Sequence, residues 1–183
     1  LLTKGVSFPQ IDSAIGHNAL VSYFRGAPGA EWVAEWLADA LDRSRTLVLS
    51  AEEFSTDFNA PAKVDRYRTA LAGHSVLIVY YLRRQDDLRE SVFAEICRNF
   101  YTGHISDTLS FRFDFEDRMS PVLAAFPGQV MVRPYNPRLW TGGDLFLDFL
   151  DQTMGIDARG FFVPPRRNES IARRKTVFLS RLE

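Results

Sequence analysis

The spacing of hydrophobic and polar residues predicts strands and helices in alternation. Four short apolar runs are rich in β-branched and aromatic residues, which is typical of strands. They are GVSFP (5–9), TLVLS (46–50), SVLIVYYL (75–82) and QVMVRPY (129–135). Elsewhere apolar residues recur every three or four positions, which indicates amphipathic helices. The predicted helices span residues 29–43, 62–73, 86–101, 116–126 and 143–155. Gly73 and Gly155 close two of them, as C-terminal glycines commonly do.

Strands that are separated by helices indicate βαβ units and therefore a parallel sheet. The run at 75–82 is apolar on both faces, which favours a central position in that sheet. We therefore expect an α/β fold with three layers and a mostly parallel central sheet. A chain of 183 residues is long enough to bury a core as one domain, so we expect a single domain over residues 1–183.

Composition and charge exclude several classes of function. The net charge of −1 gives no basic field for nucleic acid or for a membrane surface, and no apolar run reaches the roughly 18 residues of a membrane span. Cys97 is the only cysteine, so an intramolecular disulfide is excluded and a reducing, cytoplasmic compartment is favoured. The three histidines lack ligand spacing, so we expect no metal site.

The clearest candidate for a binding site lies where the run at 75–82 meets the next helix. Arg83 follows the predicted strand, Asp86 is a plausible N-cap, and Ser91 falls in the second helical turn. A helix N-terminus, an arginine fork and a serine hydroxyl together suit a phosphate. The alternative is that Arg83 is solvated or paired with one of the nearby acidic residues, Asp87 and Glu90 among them.

This stretch, YLRRQDDLRESVF, resembles the 3′-phosphate segment of sulfotransferases that use 3′-phosphoadenylyl sulfate (PAPS). Arg83 and Ser91 stand at the interval that the family uses, and Arg83-Arg84-Gln85 resembles the bacterial branch, which is often associated with surface carbohydrates. The resemblance covers most of the chain in order. Its other segments are GVSFP with GHNAL, LVLSAEEFS, VRPYN with GGDLFLDFLDQTMGI, and RRNES.

The resemblance implies a P-loop nucleotide-binding fold, PAPS as co-substrate and a hydroxyl or amine acceptor, most naturally on a carbohydrate. It implies that Arg83 and Ser91 bind the 3′-phosphate, and that Arg166 and Arg167 close over the nucleotide. It also makes His17 the candidate base for the acceptor proton, because His17 follows GVSFP at about the place where family members carry one. The alternative for His17 is a loop or helix-start residue, and for Arg166 and Arg167 a solvated tail.

One element of the family's pattern has no counterpart in this sequence. The Lys-Thr-Gly-Thr-Thr type of loop, which binds the 5′-phosphosulfate, is absent, and so is a GxxxxGK[ST] loop. We expect the loop to precede Leu1 and the chain to be a fragment, truncated at both ends, that is itself inactive. The rival interpretation is a non-catalytic relic or interaction domain with a weak nucleotide site. A P-loop kinase is disfavoured.

Three further features have ordinary structural interpretations. Arg133 ends a predicted strand, where an ion pair is favoured over a place in a cleft. Ser50 ends TLVLS, a common position for serine. Trp32 and Trp36 lie at helical spacing, which predicts packing in the core.

Overall fold

The structure is a computed structural model that describes residues 6–11, 16–100, 114–158 and 160–161, with residues 98–100 described by their backbone alone. The elements, in chain order, are β1 (Val6–Ser7), α1 (Asn18–Phe24), α2 (Trp32–Arg43), β2 (Thr46–Leu47), α3 (Phe54–Asp57), α4 (Pro61–Ala70), β3 (Ile78–Leu82), α5 (Gln85–Phe100), α6 (Phe115–Ala125), β4 (Val130–Pro134) and α7 (Leu145–Met154). Two 3-10 turns, Pro137–Leu139 and Thr141–Gly143, connect β4 to α7.

The chain forms two compact units. The first comprises the residues up to Val76 together with Phe115–Gln129, and the second comprises Leu77–Asp114 and the residues from Val130 onward. Each unit contains one parallel strand pair, β1 with β2 in the first and β3 with β4 in the second. The predicted α/β class with parallel strands is confirmed. The prediction of one domain over the whole chain stays a prediction.

Strand β3 is shorter than the apolar run that predicts it, since it begins at Ile78 rather than at residue 75. Within the described part of the chain it pairs with β4 and with no other strand. All five of its residues are half-buried, which fits a strand that is covered incompletely on either face. The central position of this strand in a larger sheet therefore stays a prediction.

Helix α2 forms where the spacing of apolar residues predicts it, but it fully buries only part of the predicted apolar stripe. Val33, Leu37 and Ala40, at three- and four-residue intervals, are its buried residues. Trp36 is half-buried, and 46% of Trp32 is exposed. The prediction that Trp32 packs in the core is therefore wrong. Trp32 is the first residue of the helix and lies one position ahead of the buried stripe.

Helix α5 begins one residue before the predicted start. Its first residue is Gln85, so Asp86 lies inside the first turn and is not the N-cap. The backbone N–H of Leu88 donates to the carbonyl of Arg84 at 2.8 Å. The Asp86 carboxylate instead pairs with the Arg84 guanidinium, through contacts of 2.7 and 3.2 Å.

Helix α7 ends at Gly155, as its sequence predicts, and begins at Leu145, two residues after the predicted start. The Asp144 carboxylate caps it by accepting from the backbone N–H groups of Phe146 at 2.8 Å and Leu147 at 3.3 Å. Gly155 ends it in the left-handed conformation, with φ of 60°. These two caps fix the position of the residues between them, one of which is central to the site described below. No helix of the described residues is long and apolar enough to cross a membrane.

Candidate functional site

The carboxyl ends of β3 and β4 lie side by side because the two strands are parallel and in register. Tyr81 is opposite Arg133, and Leu82 is opposite Pro134. The pairing continues one residue further, since the Tyr135 N–H donates to the Leu82 carbonyl at 2.7 Å. Residues that follow the two strands are thereby brought together at one edge, where ligands of parallel α/β sheets usually bind.

Arg83 stacks on an aromatic ring at this edge. Its guanidinium carbon lies 4.5 Å from the centroid of the Tyr135 ring, within the range of a cation–π contact. Tyr135 in turn packs edge-on against Trp140, with centroids 4.9 Å apart and an interplanar angle of 82°. The Trp140 indole N–H donates to the Pro134 carbonyl at 3.0 Å. Arg83 thus contacts the Tyr135 ring, which packs against Trp140, and Trp140 is hydrogen-bonded to the backbone.

The same unit contains a buried carboxylate, that of Asp148 on α7, which is fully inaccessible to solvent. Arg133 binds it through two contacts, Nη2 to Oδ1 at 2.7 Å and Nε to Oδ2 at 3.2 Å. The Tyr81 hydroxyl donates to Oδ2 at 2.8 Å, and the Thr141 N–H donates to Oδ1 at 3.0 Å. The ion pair that the sequence favours for Arg133 is confirmed.

The donors around Asp148 decide its charge. Burial raises the pKa of Asp148, but hydrogen bonds from Arg133, the Thr141 N–H and Tyr81 outweigh burial and hold the pKa below its usual value. Burial and the hydrogen bond to Asp148 raise the pKa of Tyr81. Asp148 is therefore a carboxylate and Tyr81 a phenol at neutral pH. Because this charge is fully compensated, the cluster serves structure rather than proton transfer.

The remaining residues predicted for the phosphate site also lie in this unit. Ser91 is half-buried in α5, and its hydroxyl makes no hydrogen bond to another described residue. Arg83 likewise makes no ion pair among the described residues. Asp86 and Asp87 both lie in the first turn of α5. Their negative charges make this helix N-terminus less favourable for an anion than the sequence predicts. A hydrogen bond from the Asp87 N–H lowers the pKa of Asp86, so the helix start already has a carboxylate of its own.

His17 belongs to the other unit and is completely buried. Its Nδ1 accepts from the Ser50 N–H at 3.0 Å, and its Nε2 lies 2.9 Å from the Pro9 carbonyl oxygen, to which it donates. The ring thereby joins the segments that follow β1 and β2, and both of its nitrogens are engaged. Its role as a base stays a prediction. So does the prediction that it shares a cleft with Arg83.

Other predicted positions are less informative. Arg166 and Arg167 lie outside the described residues, so their role over the nucleotide stays a prediction. Ser50 contributes its backbone, not its hydroxyl, to the contacts with His17.

A second buried carboxylate, in the first unit, was not predicted. Only 1% of Asp57 is exposed, and its oxygens are 2.9 Å from Arg25 Nε, 3.1 Å from Lys63 Nζ and 3.0 Å from the Tyr67 hydroxyl. The sequence offers no signal for Asp57, which ends the short helix α3. Asp148, however, interrupts the apolar run LFLDFL, and an acid on an apolar helical face is a recognisable sign of a buried pair.

Comparisons with known proteins add little to the site. No family model matches the chain. No solved structure matches it with significance. The chain is similar to an uncharacterized protein of Archaeoglobus fulgidus, with 29% identity over 141 residues. The alignment covers 74% of this chain and 38% of that protein, so the chain spans well under half the length of this relative.

Replacing Arg133 by alanine should lower the free energy of unfolding by about 3 kcal/mol, because it leaves the Asp148 carboxylate buried without a cation. Arg84→Ala is the matched control. It removes an exposed arginine from an exposed ion pair, so it should cost no more than about 1 kcal/mol. Urea denaturation of both variants measures the difference. Equal losses would show that Asp148 does not depend on Arg133.

Replacing His17 by alanine should lower the free energy of unfolding by about 2–4 kcal/mol, since it opens a cavity and removes the ring nitrogens that pair with the Ser50 N–H and the Pro9 carbonyl. His74 is exposed in the turn after α4, so His74→Ala should change stability by less than about 0.5 kcal/mol. Thermal and urea unfolding provide the comparison. An unchanged stability of His17→Ala would mean that the ring does not hold the two strand ends together.

Proposed function

We propose that the protein is a PAPS-dependent sulfotransferase in which Arg83 and Ser91 bind the 3′-phosphate of the co-substrate. The reaction would move a sulfuryl group from PAPS to a hydroxyl or amine, with a carbohydrate as the expected acceptor. As part of this proposal, the protein has a three-layer P-loop fold in which β3 is the central strand of the sheet. Support comes from the resemblance of the sequence and from the state of one arginine.

The observation that carries the proposal is that Arg83 keeps its charge available. Arg84 is paired with Asp86, and Arg133 is paired with the buried Asp148. Arg83, which follows β3 directly, contacts the Tyr135 ring and has no carboxylate partner among the described residues. A paired arginine would have to give up its carboxylate to bind a phosphate. Arg83 would not.

No described residue accepts a hydrogen bond from the Arg83 guanidinium. A cation–π contact uses the face of the guanidinium plane, whereas the N–H donors point outward within that plane. These donors match two oxygens of a phosphate, and the Ser91 hydroxyl can donate to a third. The 3′-phosphate takes no part in bond making, so the energy of binding it serves to place the nucleotide for reaction.

In the proposed reaction the acceptor oxygen or nitrogen forms a bond to sulfur as the bond from sulfur to the 5′-phosphate oxygen breaks. The electron pair of that bond leaves with 3′-phosphoadenosine 5′-phosphate, and a base takes the acceptor proton. His17 is the proposed base, and to act it must release the Ser50 N–H from Nδ1. Alternatively, its proton must move from Nε2 to Nδ1, which lies 3.2 Å from the Ser50 carbonyl oxygen, and Nε2 must release the Pro9 carbonyl. Arg166 and Arg167 are proposed to cover the nucleotide.

A second function, nucleotide binding without transfer, is favoured by the contacts of His17. Both of its ring nitrogens are engaged with the backbone, and its side chain has no access to solvent. A protein of this kind would bind the nucleotide through Arg83 and Ser91 and release it unchanged. Incubation with PAPS and a panel of carbohydrates separates the two functions, since only the enzyme forms a sulfated product.

Replacing Arg83 by alanine should weaken the binding of 3′-phosphoadenosine 5′-phosphate by roughly 10- to 150-fold, because a charge-assisted contact to phosphate contributes about 1.5–3 kcal/mol. Binding of adenosine 5′-phosphate, which lacks the 3′-phosphate, should not change. Ser91→Ala should have a smaller effect on the same ligand, since a hydroxyl supplies a single donor. Titration calorimetry with both nucleotides measures these differences.

Arg84→Ala is the control for this experiment. Arg84 is the next residue in the chain, carries the same charge and is already paired with Asp86, so its loss should leave both affinities unchanged. If Arg83→Ala weakens the two nucleotides equally, Arg83 does not recognise the 3′-phosphate. If the unaltered protein binds both nucleotides equally, the proposed function is wrong.

A further inference from the structure

The Arg83 guanidinium lies over the Tyr135 ring at the carboxyl ends of β3 and β4. We infer that Tyr135 is a positioning residue, which holds the Arg83 guanidinium in the plane required for the 3′-phosphate and so contributes to recognition of that group. The inference rests on the proposed function, which assigns the phosphate to Arg83. It adds a residue that would not itself touch the ligand.

The Tyr135 ring is held on two sides. Its backbone N–H donates to the Leu82 carbonyl at 2.7 Å, which fixes the residue beside the end of β3. Trp140, which is 7% exposed, packs edge-on against the ring at 4.9 Å. Tyr135 is 37% exposed, and the Arg83 guanidinium lies over its ring, 4.5 Å from the centroid.

The support extends to the buried charge of α7. Trp140 also packs edge-on against Tyr81, with centroids 6.4 Å apart and an angle of 84°. The next residue, Thr141, donates its N–H to the Asp148 carboxylate at 3.0 Å. The position of Trp140, and through it that of the Tyr135 ring, is therefore tied to the buried carboxylate. A ring held this firmly can restrain an arginine that stacks on it.

The contact depends on the ring rather than on the hydroxyl of Tyr135. Among the described residues the hydroxyl makes no hydrogen bond, whereas the ring face contacts Arg83. Arginine has many rotamers, and ordering it is a cost of binding that a restrained side chain avoids. Phenylalanine should restrain Arg83 as tyrosine does, since both have a negative ring face. Leucine offers an apolar surface but no such face.

The test compares Tyr135→Phe with Tyr135→Leu by two measurements. In titration calorimetry, Tyr135→Leu should weaken 3′-phosphoadenosine 5′-phosphate by about 2- to 5-fold, the change expected for a partly exposed cation–π contact. Adenosine 5′-phosphate should bind as before, and Tyr135→Phe should leave both affinities unchanged. In NMR relaxation of the arginine side chains, the Nε–H order parameter of Arg83 should fall in Tyr135→Leu and stay unchanged in Tyr135→Phe.

Leu139→Ala is the control, because Leu139 is 57% exposed in the turn ahead of Trp140 and its side chain has no aromatic ring. It should change neither measurement. In an Arg83→Ala background, Tyr135→Leu should have no further effect on affinity, since the group that it positions is gone.

The outcomes separate this inference from the proposed function. If Tyr135→Leu retains the full preference for the 3′-phosphorylated nucleotide, Tyr135 does not position Arg83. The proposed function of Arg83 would be unaffected by that result. An Arg83 order parameter that does not respond to Tyr135→Leu would equally overturn the role of Tyr135. If the unaltered protein shows no preference between the nucleotides, the proposed function falls and the inference falls with it, whatever the order parameter shows.

Discussion

The buried charge of Asp148 is the constraint on which the second unit depends. A carboxylate without access to water is tolerable only when donors surround it, and here they come from β3, β4 and the turn before α7. Satisfying it fixes Tyr81 opposite Arg133, which sets the register of the strands. It also fixes Thr141, and with it the turn that carries Trp140. The need to compensate the buried Asp148 charge therefore positions the residues at the carboxyl ends of β3 and β4.

The same constraint divides the arginines into two kinds. Arg133 pairs with the buried Asp148, and in the first unit Arg25 pairs with the buried Asp57. The positive charges of these two arginines are therefore compensated within the protein. Arg83 neutralises no carboxylate in the described part of the chain and is held by an aromatic ring instead. An aromatic contact orients a guanidinium without cancelling its charge, which is the state that binding an anion requires.

The sequence predicts elements better than it predicts contacts. Local signals such as Gly155 and the apolar runs locate α7 and the parallel strands, because each depends on neighbouring residues alone. The contacts of Asp148 were not predictable, since Tyr81 is 67 residues away in the chain. Two errors have local causes. Asp86 has the chemistry of an N-cap but pairs with Arg84, and Trp32 matches the helical spacing but lies beside the buried stripe.

We propose that Arg83, held against the Tyr135 ring, and Ser91 bind the 3′-phosphate of the nucleotide. A crystal structure of the protein with 3′-phosphoadenosine 5′-phosphate bound would show this contact. We expect 3′-phosphate oxygens within about 3 Å of the Arg83 guanidinium nitrogens and of the Ser91 hydroxyl. We also expect Arg83 to remain in contact with the Tyr135 ring. A 3′-phosphate bound by other residues, or an Arg83 that leaves the ring and does not contact the phosphate, would contradict the proposal.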